Sequence, residues 1–432
     1  MSLFGTSGIR QKIDISLLQL ALNLGLVVGS MYHRVAIGRD TRTSGEAMKN
    51  AFISGLLSSG ADCYDVGVIP TPTLAMVTEK LDAGVMVTAS HNPPEDNGIK
   101  LFNPDGSSFD SAQREQIERI ISENKYDVTS WDNIKCSREY EGAVEKHIKK
   151  ILKDNPSVSG TRVVLDCGCG AASVITPSLL KRMGCEVVEL NCTPSGFYPR
   201  GMEPVESNLE DLMRMTKEFS ADVGIAHDGD ADRMMAVDDM GRFISGDKLL
   251  AIFSQSLNAS TVVTTLDASM AIEDMGYKVV RTKIGDPYVS EELRSGGDFG
   301  GEPSGSWIFP KVSMCPDGIY AAAQIVAIAA RQKLSLLVDN IPSYPVLRGN
   351  ISSDGIAMPE VRQQIITLNP LSVDDVDGIR LTFEDSWLLI RASGTEAKIR
   401  VFVEAKGEMR ARELYDNAVN VIKRCIKKKV GE

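Results

Sequence analysis

The chain has 432 residues, of which 43% are hydrophobic and 24% charged, a composition typical of a globular protein that excludes a fibrous or disordered chain. A formal net charge of −11 argues against a basic nucleic-acid-binding surface, so we expect no nucleic-acid partner. The longest apolar stretches, near 17–28 and 321–330, fall short of the roughly 20 apolar residues of a membrane span, so we expect no membrane partner.

The cysteines and the N-terminal sequence bear on the compartment. The eight cysteines are sparse and include no Cys-x-x-Cys pair, so they predict neither a disulfide framework nor a zinc site. The closest pair, Cys167 and Cys169, is interpreted as small buried residues. Residues 1–10 lack the basic and apolar segments of a secretion signal. These features favour a reducing cytoplasm.

In chain order, short apolar runs alternate with amphipathic helices. The strands are predicted over 35–38, 62–68, 84–88, 162–166, 186–190, 222–226, 261–265 and 278–281, and the helices over 45–59, 73–81, 175–183, 209–219, 268–275, 288–294 and 317–331. This alternation predicts α/β domains with mostly parallel sheets covered on both faces. After a Pro-rich segment, strands over 379–383, 387–390 and 399–403 and a helix over 408–428 predict a smaller C-terminal α+β domain.

Ligand-binding residues of parallel α/β folds lie in loops at the carboxyl ends of strands. In the first such loop, Ser90 emerges from a buried strand into a segment stiffened by prolines. A catalytic triad is disfavoured, because G-x-S-x-G is absent and the neighbouring His91 points away on an extended chain. A serine that carries a phosphoryl group needs only nearby cations such as Lys100 and a metal. A plain polar turn is the alternative.

The second loop places Asp228, Asp230 and Asp232 at alternate positions, with small residues between them. Their carboxylates can converge, and hard oxygen ligands suit Mg²⁺. An EF-hand is disfavoured because Arg233 stands at loop position six, which requires glycine, and a strand precedes the loop. A structural role stays open, although three adjacent carboxylates repel one another without a cation. Arg233 is either a phosphate contact or an ion-pair partner.

Two further loops carry ligand-type residues. In 299–307, glycines allow close backbone approach, and Glu302 and Ser304 suit sugar hydroxyls or an amine; an ordinary tight turn is the alternative. The segment 391–400 combines hydroxyls, glycine and cations into a compact anion site, with a solvated surface turn as the alternative. Its candidate ligands are Arg391, Ser393, Gly394, Thr395 and Arg400.

A glycine-rich loop at 167–170 follows a strand and is similar to the loop of S-adenosylmethionine methyltransferases. It also partly matches the dinucleotide-binding fingerprint, without the third glycine. A lone glycine loop is a weak signal, and the other loops have no role in methyl transfer. Methyl transfer is therefore disfavoured.

Together with segment 4–10 (FGTSGIR), the four loops resemble, in this order, the motifs of the α-D-phosphohexomutase family, over essentially the whole chain. The resemblance implies three similar mixed or parallel-sheet α/β domains plus a smaller C-terminal α+β domain around a central cleft. The expected domains are 1–150 with the phosphoserine loop, 151–250 with the metal-binding loop, 251–345 with the sugar-binding loop and 346–432 with the phosphate-binding loop.

The resemblance also implies roles for single residues. Ser90 would carry the phosphoryl group, flanked by Arg10, His91 and Lys100. The Mg²⁺ ligands would be the phosphorylated Ser90, Asp228, Asp230 and Asp232. The substrate ligands would be Arg233, Lys283, Glu302, Ser304, Arg391, Ser393, Gly394, Thr395 and Arg400.

The implied reaction interconverts a hexose 6-phosphate and a hexose 1-phosphate through a 1,6-bisphosphate. Segment 282–288 resembles the phosphoglucosamine mutase branch of the family. The sugar-binding loop, which contains Pro303, resembles that of archaeal members, and Ser306 stands where many members have a histidine. We therefore expect glucosamine phosphate as the substrate, with mannose or glucose phosphate as the alternative. A phosphosugar-binding protein or a phosphatase is a remote alternative, and the chain is expected to be a monomer or a homodimer.

Overall fold

The computed structural model describes residues 3–155, 157–352, 358–392 and 398–430. These residues belong to two compact units. The first unit comprises 1–260 and 285–340, and the second comprises 261–284 and 341–432.

Residues 3–155 begin the first unit. Their strands are β1 (Ile9–Lys12), β2 (Arg34–Arg39), β3 (Asp62–Val68), β4 (Ala83–Val87), β5 (Asp96–Phe102) and β6 (Ser137–Glu139), and their helices are α1 (Ile15–Met31), α2 (Gly45–Ser58), α3 (Thr71–Thr78), α4 (Ser111–Ser122) and α5 (Ala143–Asp154). The strands form one sheet in the order β1-β5-β4-β2-β3-β6. Strands β2, β3, β4 and β6 are parallel, while β5 runs antiparallel to β4 and β1 antiparallel to β5.

Helices α1 and α2 cover one face of this sheet, and their backbones touch. A Cβ atom added at Gly25 would lie 2.1 Å from the carbonyl oxygen of Phe52, and one added at Gly55 would lie 2.0 Å from that of Leu22. The two glycines therefore permit a close helix pair above the buried strands. On the other face, Leu74 and Val77 of α3 are buried with Met86 of β4.

Residues 157–340 belong to both units, with 261–284 in the second unit and the others in the first. Their strands are β7 (Arg162–Asp166), β8 (Glu186–Leu190), β9 (Val223–His227), β10 (Met234–Val237), β11 (Phe243–Ile244), β12 (Thr261–Thr265), β13 (Lys278–Thr282), β14 (Phe299–Gly301) and β15 (Trp307–Ile308), and their helices are α6 (Thr176–Met183), α7 (Glu210–Glu218), α8 (Gly246–Ser256), α9 (Ala271–Asp274), α10 (Asp286–Ser295), α11 (Gly318–Ala329) and α12 (Leu334–Asn340). Strands β7 to β11 form a sheet in the order β11-β10-β9-β7-β8, with β7, β8 and β9 parallel.

In the first unit, β14 and β15 pair antiparallel around a cluster of aromatic side chains, in which the Phe253 ring lies 5.4 Å from Trp307 and 5.9 Å from Phe299. In the second unit, β12 and β13 are a parallel pair. The remaining elements of that unit are β16 (Val346–Ser352), β17 (Ser372–Asp374), β18 (Ile379–Thr382), β19 (Ser386–Ala392), β20 (Lys398–Ala405), α13 (Met358–Ile365) and α14 (Glu408–Val430). Strands β16 to β20 form an antiparallel sheet in the order β16-β20-β19-β18-β17, and α13 and α14 share its apolar core.

One predicted helix is much shorter than expected. The sequence predicted a helix over 268–275, but only Ala271–Asp274 forms α9. The Arg281 guanidinium donates to the carbonyls of Thr265, Ala268 and Ser269 at 2.9–3.2 Å. These contacts hold the preceding chain in a turn, so helical bonding begins only after Ser269.

In the described parts of the chain, no single helix combines the length and hydrophobicity needed to cross a membrane. The consecutive helices α11 and α12, bent by 95°, pass the same criteria only as a pair, by length and composition.

Candidate active site

Ser90 lies three residues beyond the end of β4 and is fully buried at 1% exposure. Its hydroxyl donates to Asp228 Oδ2 at 2.7 Å and lies 3.3 Å from His91 Nδ1. The expectation that His91 points away from Ser90 is wrong. Ser90 is not extended but has φ +51°, and this left-handed conformation brings the two neighbouring side chains together.

The three aspartates follow β9 and are buried. One carboxylate oxygen from each of Asp228, Asp230 and Asp232 lies within 4.8 Å of the others. Ala231 between them has φ +58°, which turns the loop tightly enough for the carboxylates to converge. A Cβ atom at Gly229 would lie 2.7 Å from the carbonyl oxygen of Ser90, so glycine lets this loop pack directly on the serine loop.

Two polar side chains from residues 3–155 reach into the aspartate cluster. Lys100, on β5, donates to Asp230 Oδ2 at 2.7 Å and to Asp232 Oδ2 at 2.5 Å. Thr71, at the start of α3, donates through its hydroxyl to Asp230 at 2.6 Å. The other oxygens, Asp230 Oδ1 and Asp232 Oδ1, are buried and accept no hydrogen bond from any described residue.

Burial and mutual proximity shift the pKa values of the clustered aspartates and of Lys100. Burial raises the pKa of Asp228 well above its usual value, and the charges of Asp232 and Asp230 raise it further. Burial and Asp230 likewise raise the pKa of Asp232. Burial opposes the charge of Lys100, but the two aspartates outweigh it and raise the lysine pKa. Lys100 in turn lowers the pKa of Asp230 against the effect of burial.

The cluster fits a divalent cation. Buried carboxylate oxygens without hydrogen-bond donors are costly unless a cation satisfies them, and Asp230 Oδ1 and Asp232 Oδ1 are two such atoms. An all-oxygen donor set also suits Mg²⁺ better than a soft transition metal.

Three further predicted residues lie around Ser90. Arg10, on β1, donates from its guanidinium to Asn92 Oδ1 at 3.3 Å. Burial, and then the charges of Arg233 and Arg10, lower the pKa of His91 to about 2, so its ring is neutral at physiological pH. Arg233 forms an ion pair with Glu203 at 3.3 Å, and its backbone N–H donates to Asp228 Oδ1 at 3.3 Å. Ser90, His91, Lys100, Arg10 and Arg233 are thus brought together with the aspartates.

The loop at 299–307 adjoins the aspartate loop in the first unit. The backbone N–H of Met234 donates to the carbonyl of Gly305 at 2.9 Å. Glu302 accepts the backbone N–H of Gly285 at 2.7 Å and the hydroxyl of Ser304 at 3.4 Å. The structure therefore places Glu302 and Ser304 in a loop directly bonded to the strand that follows the aspartates.

The remaining predicted substrate residues belong to the second unit. Arg391 on β19 and Arg400 on β20 are register partners in neighbouring strands. The Arg391 guanidinium pairs with Asp377 at 3.0 Å, beside a cavity of about 450 Å³ that is also lined by Met358 and Arg362. Lys283 directly follows β13. Ser393, Gly394 and Thr395 lie outside the described residues.

Sequence reasoning missed three polar residues near Ser90: Thr71, Asp40 and Arg42. Asp40 accepts the Thr88 hydroxyl at 2.7 Å and the Arg42 guanidinium at 3.1 Å. Asp40 and Arg42 follow the carboxyl end of β2, which is the position that identified the other site residues. That signal was therefore present in the sequence, whereas nothing local distinguishes Thr71 from an ordinary residue at a helix start.

Comparison with known protein families gives matches along most of the chain. Models of the phosphoglucomutase/phosphomannomutase family match at residues 1–128, 142–241 and 245–344, for alpha/beta/alpha domains I, II and III, and at 353–421 for the C-terminal domain.

Among curated relatives, a probable phosphoglucosamine mutase from Methanocella arvoryzae is 46% identical, with 99% of each chain covered. A phosphoglucosamine mutase from Methanococcus maripaludis is 41% identical, covering 98% of this chain and 99% of its own.

The fold is also shared with solved structures. A phosphoglucomutase/phosphomannomutase family protein from Burkholderia thailandensis matches with a TM-score of 0.87 at 24% identity, over 98% of this chain and 97% of its own. The N-acetylphosphoglucosamine mutase of Aspergillus fumigatus, solved with GlcNAc-6P and magnesium, matches with a TM-score of 0.61 at 15% identity, over 99% and 96%. Taken with the four domain matches, the chain belongs to the phosphoglucomutase/phosphomannomutase family, the α-D-phosphohexomutases that its sequence motifs resemble.

Proposed function

We propose that the chain is a phosphoglucosamine mutase that interconverts glucosamine 6-phosphate and glucosamine 1-phosphate. Relatives that are 40–47% identical over nearly the whole chain carry that name. The observation that carries the chemistry is the Ser90 hydroxyl, buried and 2.7 Å from Asp228 within the cluster of three aspartates. Phosphomannomutase or phosphoglucomutase activity is the alternative within the family.

Ser90 is proposed to carry the transferred phosphoryl group. A sugar hydroxyl oxygen attacks the phosphorus, the bond between phosphorus and Ser90 Oγ breaks, and that oxygen keeps the electron pair. We assign His91 to pass the proton that the sugar hydroxyl loses to Ser90 Oγ, since His91 Nδ1 lies 3.3 Å from that oxygen. The resulting 1,6-bisphosphate then returns its other phosphoryl group to Ser90 by the reverse of the same step.

Asp228, Asp230 and Asp232 would hold Mg²⁺, together with an oxygen of phosphorylated Ser90. The ion supplies positive charge that offsets the phosphoryl oxygens, which is the main requirement of phosphoryl transfer. Lys100, Arg10 and Arg233 contribute further positive charge from the protein, and burial keeps water from competing with the sugar hydroxyl.

Glu302 and Ser304 are proposed to bind the sugar, with Arg233 and Lys283 as further substrate ligands. The non-reacting phosphate would be held by Arg391, Ser393, Gly394, Thr395 and Arg400. We propose four domains that each carry one of the loops. They are 1–150 with the phosphoserine loop, 151–250 with the metal-binding loop, 251–345 with the sugar-binding loop and 346–432 with the phosphate-binding loop. We propose that the protein works in a reducing cytoplasm as a monomer or homodimer, since its eight cysteines are sparse and include no Cys-x-x-Cys pair.

A coupled assay with Mg²⁺ and a trace of hexose 1,6-bisphosphate tests this function, with glucosamine, glucose and mannose phosphates compared as substrates. We expect the highest kcat/KM with glucosamine phosphate. Ser90→Ala should lower kcat by roughly 10³-fold or more, because the phosphoryl carrier is lost. Ser254→Ala is the matched control, because Ser254 is also fully buried and donates only to the carbonyl of Leu250 within its own helix.

Intact-mass analysis gives an independent check. The wild-type chain should gain one phosphoryl group from the bisphosphate, and Ser90→Ala should gain none. Equal turnover by wild type and Ser90→Ala would refute the mechanism. Release of inorganic phosphate without isomerised sugar would instead identify a phosphatase.

A further inference from the structure

We propose that Arg42 is a positioning residue that holds the backbone of the Ser90 loop in the conformation required for phosphoryl transfer. The proposal rests on the proposed function, because it assigns Arg42 a role in placing the Ser90 oxygen. Arg42 makes no contact with a reacting atom; it acts through the loop of residues 89–96, which we call the serine loop.

The guanidinium of Arg42 is completely buried and donates to four carbonyl groups of the serine loop. One terminal nitrogen donates to Pro93 at 2.6 Å and to Asp96 at 2.8 Å, and the other donates to Ser90 at 2.9 Å and to Asn92 at 2.7 Å. Four carbonyls that point toward one centre require a planar group with several N–H donors in a fixed fork.

Asp40 completes the arrangement and connects it to the other side of Ser90. Its carboxylate accepts the fifth donor, the Arg42 Nε–H, at 3.1 Å, and the Arg42 backbone N–H at 2.9 Å. The same carboxylate accepts the Thr88 hydroxyl at 2.7 Å, and the oxygen of that hydroxyl accepts the backbone N–H of Ser90 at 2.8 Å. Both the N–H and the C=O of Ser90 are thus tied to one buried ion pair.

This double attachment explains the unusual backbone of Ser90. A serine with φ +51° is in a sparsely populated region, and such conformations persist where surrounding contacts determine them. The conformation directs the Ser90 hydroxyl to Asp228, at 2.7 Å. Loss of the Arg42 contacts would let the loop relax and move the hydroxyl away from the aspartates.

The segment around 198–202 closes over Arg42. Met202 Sδ lies 3.4 Å from a terminal nitrogen of Arg42, and the Tyr198 ring centroid lies 5.8 Å from the guanidinium carbon. The hydroxyl of Thr41 donates to the carbonyl of Cys169 at 2.9 Å. These contacts exclude water, so the loop carbonyls depend on the guanidinium for their hydrogen bonds.

Arg42→Lys tests the proposal, because lysine keeps the charge but replaces the planar fork with a single ammonium group. We expect kcat to fall by about 100-fold, as for a reacting group displaced by about 1 Å, while KM for the sugar phosphate stays within about twofold. Phosphorylation of Ser90 by hexose 1,6-bisphosphate should slow in parallel. Backbone amides of the serine loop should exchange hydrogen faster than in wild type.

Arg281→Lys is the matched control. Arg281 is a largely buried arginine that also donates to three backbone carbonyls, but these belong to residues 265–269 of the second unit. We expect this variant to retain wild-type exchange in the serine loop and to keep kcat within about threefold of wild type, because the Arg281 guanidinium bonds residues 265–273 rather than the serine loop.

If Arg42→Lys does not fold, Thr88→Val removes only the hydroxyl that links Asp40 to the Ser90 N–H, and it should give the same loss of kcat with unchanged KM. Wild-type kcat and wild-type loop exchange in the folded variants would overturn the role of Arg42. A wild-type chain without mutase activity would overturn the proposed function instead, and the exchange data would still decide whether Arg42 holds the loop.

Discussion

Among the described residues, Lys100 is the cationic side chain that donates hydrogen bonds to two of the three clustered aspartates, Asp230 and Asp232. It is 5% exposed, so its charge and those of Asp230 and Asp232 interact with little screening by solvent. A divalent cation bound to the cluster would serve the same carboxylates as the lysine, so each should reduce the need for the other.

We predict that Lys100→Met lowers the free energy of unfolding by about 3–5 kcal/mol without metal, because it leaves buried carboxylates unpaired. Saturating Mg²⁺ should restore part of this loss, so the rise in Tm on adding Mg²⁺ should be larger in Lys100→Met than in wild type. Thermal unfolding in a chelator and in Mg²⁺ measures both quantities.

Lys49→Met is the control for this prediction. Lys49 is 7% exposed and pairs with Asp65 at 2.7 Å, away from the aspartate cluster. Lys49→Met should lower the free energy of unfolding by the same amount with and without Mg²⁺. An identical rise in Tm for wild type and both variants would show that Lys100 does not share its carboxylates with the metal.

At this scale, the sequence predicted residue types and positions better than conformations. Ser90 and the three aspartates were identifiable because polar residues directly follow buried strands. The structure brings Ser90 Oγ within 2.7 Å of Asp228 and one carboxylate oxygen of each aspartate within 4.8 Å of the others. The orientation of His91 was predicted wrongly, because the φ of Ser90 is set by contacts to Arg42, which is 48 residues away in the chain. Such a constraint has no local signature.

Helix α11 is the element that supports the aspartate loop from behind. Its first residue, Gly318, lies so close to this loop that an added Cβ atom would be 2.5 Å from the carbonyl oxygen of Arg233 and 2.7 Å from that of Ala231. The helix is buried along nearly all its length, so it cannot move away from the loop without opening the core.

We predict that Gly318→Ala destabilises the protein by about 1–3 kcal/mol, as expected for overpacking against backbone. It should also weaken Mg²⁺ binding, measured by titration calorimetry, because the loop carrying Asp232 must shift. At Gly407, before α14, no described atom lies within 4 Å of an added Cβ. Gly407→Ala should therefore change stability by less than about 1 kcal/mol and leave Mg²⁺ affinity unchanged. Equal metal affinity in both variants would contradict the proposed support.

Buried parallel strands were the elements predicted best, since β2, β4, β7 and β9 each contain a continuous apolar run. The antiparallel strands β1, β5 and β10 were missed. Strand β5 begins with Asp96, Asn97 and Gly98, which are typical turn residues, yet its backbone pairs with β1 on one side and with β4 on the other. Pairing partners distant in sequence, rather than local propensity, make this segment a strand.

For the whole molecule, motif order and alternating elements were enough to predict the family, which the domain matches confirm. The grouping of contacts was not predictable. The sequence predicted four domains, and the four family matches agree with that number. The contacts group the chain into two compact units, and β12 and β13 belong to the unit that contains the C-terminal residues. Apolar periodicity shows that a segment is buried but not which other segment buries it.

Each unit has an apolar core of its own, and this leads to a prediction about unfolding. Leu388, on β19, is fully buried in the core that β16, β18, β19 and β20 share with α14, and Leu56, on α2, is fully buried in the core under the first sheet. Replacing either leucine by alanine should cost about 2–5 kcal/mol. Because the cores are separate, we expect Leu388→Ala to destabilise the second unit and Leu56→Ala the first.

Hydrogen exchange at increasing urea, followed by mass spectrometry of peptides from both units, distinguishes the two cases. In Leu388→Ala, peptides from 379–392 and 398–405 should lose protection at lower urea while peptides from 15–58 keep their wild-type midpoint. Leu56→Ala should show the reverse. Each variant is thus the control for the other. Loss of protection in both units at a single, equally shifted midpoint would mean that the chain unfolds as one cooperative structure, in which case the separate cores do not define separate units of stability.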